Sequence, residues 1–309
     1  MNYREIRARL IASYGKFVFF PSDPEIPKII STNAFTHLVL GEDIVVYAQK
    51  AMEEELEEEL QENYDVVYEN PKLGEEYFVS PYANTGNINF KFKNGTEILS
   101  RAMRKPFEEE LEIIENLSNM INKALAEFWN EIKIGMRENE AKAVLDCKLM
   151  KEGVEGFTYP TILVSGKRSR HLLPKSSEKK IERGEIIYID SSPHISNYPL
   201  NFSRVIFTEE RREWVDALER INEMYSHLSP IIMPGANCNF LDRAIRKIGN
   251  FPHYSVMPSG GFYMPYAPGD CVLEENMVMS IVPSIHLEEG VIRVKRNVIV
   301  KKDSPKFLV

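Results

Sequence analysis

The sequence is poor in the features that mark several common functions. Its three cysteines, Cys147, Cys238 and Cys271, are scattered and match no zinc or redox spacing, so we expect buried or inert thiols in a reducing cytosol. No apolar run approaches the length of a membrane span, and the opening stretch MNYREIRARLIASYGK lacks the apolar core of a signal peptide. A basic surface is missing too. Lys and Arg number 38 against 46 Asp and Glu, a net charge of −8, which counts against nucleic acid and anionic membrane as partners. There is no glycine-rich phosphate loop, no Ser-His-Asp or Cys-His surround of a nucleophilic hydrolase, and no low-complexity tract or short repeat. These absences leave a cytoplasmic protein with neither membrane nor nucleic-acid partners as the expectation.

What is present is ordinary globular material, 43% hydrophobic and 27% charged, in a chain of 309 residues that is long enough for two domains. Residues 1–100 read as a small α/β unit. Residues 5–14 suit an amphipathic helix, residues 16–20, 37–40, 43–47 and 64–68 suit short strands, and the acidic run 53–62 suits a solvated helix held by Leu56 and Leu60. Residues 70–100 carry weaker order and lead to a boundary. Beyond it, Phe107, Leu111, Ile114, Leu117, Ile121, Leu125 and Phe128 recur at steps of three and four, a long helix entered through Pro106. Helices are expected at 138–151, 209–228 and 240–248, and strands at 159–165, 277–282 and 291–301. The basic stretch 167–170 reads as a solvated loop.

The most informative stretch is GEIIYIDSSPHISNYPLNFSRVIF, residues 184–207. Two β-rich runs, 185–190 and 203–207, flank a polar segment, the pattern of an antiparallel hairpin with an irregular connection. Asp190 closes the first run and Asn201 opens the second, so pairing would let their side chains converge. Two aspartates there would bridge hard divalent cations through anionic oxygen; the second residue is an amide instead.

The order of these elements resembles the creatinase/prolidase/methionine aminopeptidase family. The residues that carry the resemblance are Arg101, Arg104, Lys105 and Glu109, then Gly135 and Glu138, Ser165-Gly166, Asp190, and Tyr198 with Arg204. They continue with Pro234-Gly235, Asp242, His253, Pro283 and Arg293. The resemblance covers residues 101–309 and implies the pita-bread fold there. It implies an α+β protein, in which residues 1–100 form an α/β domain of the kind that precedes the catalytic domain in prolidases and aminopeptidase P enzymes.

Active members of that family hold two metal ions through Asp, Asp, His, Glu and Glu. Carried over position by position, these fall on Asp190, Asn201, Met257, Val282 and Lys295. Four of the five are changed: asparagine is neutral, methionine is a soft thioether, valine offers no ligand atom and lysine is itself a cation. One carboxylate and one ammonium sum to zero charge, which gives two divalent ions nothing to bind, so no metal cofactor is expected. Buried, Asp190 needs a partner, either Lys295 filling the lost ions' space or backbone N–H groups while Lys295 reaches solvent. The resemblance further places His253, Tyr198, Arg293 and Met264 (where prolidases have another His) near the pocket. It places His171 where prolidase-like enzymes keep a substrate-binding His and where metal-free creatinase has its general base. His37, His194, His227 and His286 read as ordinary structural or loop residues.

Three readings of function follow. The first is an Xaa-Pro dipeptidase/aminopeptidase relative that has lost its dinuclear site and binds a peptide or protein in the cleft. The second is a metal-free, creatinase-like C–N hydrolase using His171 as base. The third is an active metallopeptidase with relocated ligands. The resemblance also implies a homodimer.

Overall fold

Alternating burial along short β-branched and aromatic runs builds the sheet of the first unit, and a long apolar stripe on one helix opens the second. The computed structural model describes residues 2–73, 76–84, 90–171, 173–247 and 272–309, with the backbone of 256–258. It divides into Met1–Arg104 and Lys105–Val309.

In the first unit, helix α1 (Tyr3–Ala12) is capped by Asn2, whose side chain accepts from the Glu5 N–H at 3.0 Å. Strands β1 (Phe17–Phe19), β2 (His37–Leu40) and β3 (Ile44–Tyr47) follow, then helix α2 (Glu53–Glu59) and β4 (Asp65–Val67). Strands β5 (Tyr77–Val79) and β6 (Phe92–Asn94) and helix α3 (Thr96–Met103) complete it. The six strands form one mixed sheet in the order β4-β3-β2-β1-β5-β6. Phe17, Val18 and Phe19 are fully buried at its centre, between antiparallel β2 and parallel β5. The weak order expected over residues 70–100 is corrected here. Leu99, Ala102 and Met103 bury one face of α3, a spacing too short to stand out among the Gly and Pro around it.

The second unit opens with α4 (Glu108–Glu131), which buries Leu111, Ile114, Leu117, Ile121, Leu125 and Phe128. Each such side chain contributes roughly 1.5–3 kcal/mol by leaving water. Helix α5 (Glu138–Lys151) precedes strands β7 (Gly156–Phe157) and β8 (Ile162–Ser165). The hairpin follows as β9 (Ile186–Ser191), β10 (Pro193–Ile195), β11 (Tyr198–Pro199) and β12 (Phe202–Phe207). Strands β9 and β12 pair antiparallel, and the polar connection makes its own small hairpin, turned by Ser196 and Asn197 at positive φ. Helices α6 (Arg212–Leu228) and α7 (Cys238–Arg246) lead to β13 (Val256–Pro258) and β14 (Val278–Ile281). The chain closes with β15 (Ser284–His286), β16 (Val291–Arg293), β17 (Arg296–Ile299) and β18 (Lys306–Phe307).

The single strand expected at 291–301 is therefore two, interrupted at Val294 and Lys295. The main core gathers Trp214, Ile221, Tyr225 and Leu228 of α6 with Leu241 and Ile245 of α7 against Met279, Ile281, Ile292 and Val298. Tyr225 ties this core to the end of β14 and to the break itself, its hydroxyl within 2.8 Å of the Ile281 carbonyl and 2.7 Å of that of Val294. The thiol expectation needs correcting in part: Cys147 is free but exposed, while Cys238 is buried. Among the described residues, no helix is long and apolar enough to cross a membrane.

Candidate functional site

The strand register decides which side chains meet. In the sheet β12-β9-β8, Asp190 lies between Ile162 and Ser203, and Tyr188 between Val164 and Val205. Tyr188 and Asp190, two apart on one strand, project from the same face. Asn201 precedes β12, two residues before the Ser203 that stands directly opposite Asp190.

Asp190 is 8% exposed and both of its oxygens are engaged. Tyr159 donates to Oδ1 at 2.6 Å, and Tyr188 donates to Oδ2. The Lys295 ammonium lies 3.1 Å from Oδ1 and 3.3 Å from Oδ2. Of the two arrangements left open for Asp190, this is the ion pair. Burial, followed by the negative charge of Asp190, pushes both tyrosine hydroxyls far above their ordinary range, so both remain protonated donors.

Lys295 reaches this point because the strand breaks there. Its N–H donates to Ser203 Oγ at 2.8 Å and its carbonyl accepts from Arg204 Nη1 at 3.0 Å, so hairpin side chains satisfy the interrupted backbone. Ser203 Oγ in turn donates to the Arg293 carbonyl at 3.2 Å. Arg204 is held down to about 10, chiefly by burial and then by the nearby Arg296. Arg293 is 2% exposed, stacks over the Tyr188 ring at 5.1 Å, and donates from Nη1 to the Tyr188 hydroxyl at 3.1 Å. Arg293, Tyr188, Asp190 and Lys295 thus form one continuous polar chain.

The other residues singled out in the sequence are placed differently. Val282 is buried just beyond β14. Met257 lies in β13, opposite Ser280. His253 and Met264 lie outside the described residues. Tyr198 is fully buried, and its hydroxyl donates to Glu110 in the first turn of α4 at 2.6 Å. His171 is exposed at the end of a 3-10 turn, Gly166–Arg170, where its backbone N–H donates to the Arg168 carbonyl. That turn is no free basic loop. The fully buried Glu138 accepts from Arg168, from the Ser165 N–H at 2.9 Å and from Ser177 Oγ at 2.8 Å. Among the described residues, no group of three or more His, Cys, Asp or Glu side chains could hold a metal ion.

Sequence reasoning passed over Tyr159, Tyr188 and Ser203. Only Tyr188 carried a usable signal, its two-residue step from Asp190.

The two-unit α+β chain, with its second unit built on α4–α7 and these antiparallel sheets, has the architecture of pita-bread enzymes. A solved prolidase from Pyrococcus horikoshii superposes with a TM-score of 0.83 at 22% identity, covering 98% of this chain and 97% of that one. A prolidase from Thermococcus sibiricus gives a TM-score of 0.84 at 18% identity, covering 100% and 97%. The model of metallopeptidase family M24 matches residues 112–302, and the chain belongs to that family. An Xaa-Pro dipeptidase of Pyrococcus furiosus is 27% identical over 268 residues, 80% of this chain and 76% of that protein.

Proposed function

We propose that this chain is an Xaa-Pro dipeptidase relative that binds a peptide or protein segment at the Asp190 site without cleaving it, its dinuclear metal centre having been lost. The ion pair between Lys295 and Asp190 carries the reading. The one carboxylate among the inherited ligand positions is saturated by an ammonium and two phenol hydroxyls, so no lone pair faces an incoming cation. An amide at Asn201, a thioether at Met257 and a hydrocarbon at Val282 complete a donor set that does not fit two divalent ions. Placing a cation beside the Lys295 ammonium adds repulsion where the relatives' site supplies attraction.

The metal-free hydrolase reading gains no support. His171 is exposed, and no described side chain orients its imidazole as a base. The test is metal analysis of protein purified with Mn²⁺ or Co²⁺, run beside an assay of Xaa-Pro dipeptide hydrolysis. Substoichiometric metal and no turnover are expected; one or two ions per chain, or turnover abolished by a chelator, would overturn the proposal. The reading includes a homodimer, which sedimentation equilibrium tests.

A further inference from the structure

The hairpin β15–β16 holds a buried cation whose bonding is mostly unused. Arg293 is 2% exposed, yet among the described residues only Nη1 has a hydrogen-bond partner; Nε and Nη2 are buried with none. A guanidinium presents five N–H donors and no acceptor, so these idle groups can be satisfied only by an acceptor that comes to them. Leaving such donors empty in a dry site is costly, and more so for a charged group.

Two further polar groups share this face. Ser284 stands directly opposite Arg293 in the antiparallel pair, and His286 lies two residues on, opposite Val291. Residues alternate between faces, so Ser284, His286, Val291 and Arg293 project to one side. Ser284 is fully buried, and among the described residues neither its Oγ nor the buried His286 Nε2 has a hydrogen-bond partner. Burial, then the charges of Arg293 and Arg170, lower the His286 pKa, so its ring is neutral and can present an N–H from Nε2.

The charge balance points the same way. Among the described residues of the polar chain, Arg293 and Lys295 bring two positive charges and Asp190 one negative, and no described carboxylate forms an ion pair with Arg293. The excess is one buried positive charge. We infer that the face formed by Arg293, Ser284 and His286 is an anion-binding site that takes a small carboxylate or oxyanion. The carboxylate lies in the guanidinium plane, accepts from Nε and Nη2 as a fork, and takes further hydrogen bonds from Ser284 Oγ and His286 Nε2. Phosphate would bring more charge than the site lacks.

The inference deepens the binding reading given above and rests on it for the ligand's identity, since the carboxylate comes either from a peptide C-terminus or from a free small acid. Calorimetric titration of the full chain with sodium formate, Gly-Pro and Gly-Pro amide separates these sources. Arg293→Gln should weaken binding of formate or Gly-Pro at least tenfold, and Ser284→Ala about threefold. Ser284→Ala removes only an idle hydroxyl, so it serves if Arg293→Gln fails to fold. In an NMR titration of the wild type, the same probe should raise the His286 pKa. Formate binding without Gly-Pro binding overturns the peptide reading and leaves the anion site standing. Equal binding of Gly-Pro and its amide, untouched by both substitutions, overturns the anion site and leaves the peptide reading. Failure of every probe to bind overturns both.

Discussion

Glu138 and Arg293 are both buried charges of the second unit, and the protein treats them in opposite ways. Glu138 is surrounded by donors from β8, the following 3-10 turn and Ser177, and every lone pair has a use. Among the described residues, the Arg293 side chain has one hydrogen bond and a ring beneath it. A saturated buried ion fastens elements together, because each of its bonds would be lost at once on opening. An unsaturated one contributes little to the fold and keeps its bonding capacity for something else. Asp23 in the first unit shows a third solution. Burial, against the opposing bond from the Phe20 N–H, raises its pKa to about 7, so near neutrality it sheds its charge.

The comparison can be broken in order of expected effect. Glu138→Ala should destabilise the second unit by about 4 kcal/mol, since it strands Arg168 and the Ser165 N–H, and chemical denaturation would register the loss. A change below about 1 kcal/mol would show that Glu138 fastens nothing. For Asp23, a folded pKa raised above its unfolded value gives stability that is complete below the unfolded value and disappears as pH rises through about 7. The wild type should therefore lose roughly 3 kcal/mol between pH 5 and 8 from this group, at 1.36 kcal/mol per unit. Asp23→Asn should flatten that slope in a pH series of denaturation curves.

Lys295→Met should cost about 2–3 kcal/mol in chemical denaturation, because it leaves Asp190 buried against two phenols alone. A loss below about 1 kcal/mol would contradict the ion pair. Tyr159→Phe removes one of the three donors to Asp190 and should cost about 1 kcal/mol. Arg293→Met should cost the ligand-free protein no more than about 1 kcal/mol, the single bond to Tyr188, since its other buried donors are idle and give way to hydrocarbon. A large destabilisation by this change would remove the contrast with Glu138.

Much of this was legible in the chain. The step of three and four from Phe107 to Phe128 gave α4, and alternating β-branched runs gave the hairpin of β9 and β12, because both patterns are periodic and local. The family's element order placed Lys295 near Asp190 across a separation in sequence that no periodicity spans. Other contacts were hidden for definite reasons. Tyr198 was assigned to the pocket by position, yet its hydroxyl goes to Glu110, a pairing set by how β11 packs on α4. The break at Val294 and Lys295 left no mark, since both residues sit comfortably in a strand and the interruption is stabilised by Ser203 and Arg204 from another element. Arg293 could be named as a neighbour of the site, but its idle donors become visible only once every nearby acceptor has a place.

That break carries a consequence of its own. The main chain at position 295 is gripped on both sides, N–H by one hydroxyl and carbonyl by one guanidinium, and neither grip involves the side chain. The position behaves as a socket, delivering whatever is plugged into it to the same point beside Asp190. Chemistry here can be exchanged without rebuilding the frame, so a history of altered charge can be written over strands that never moved.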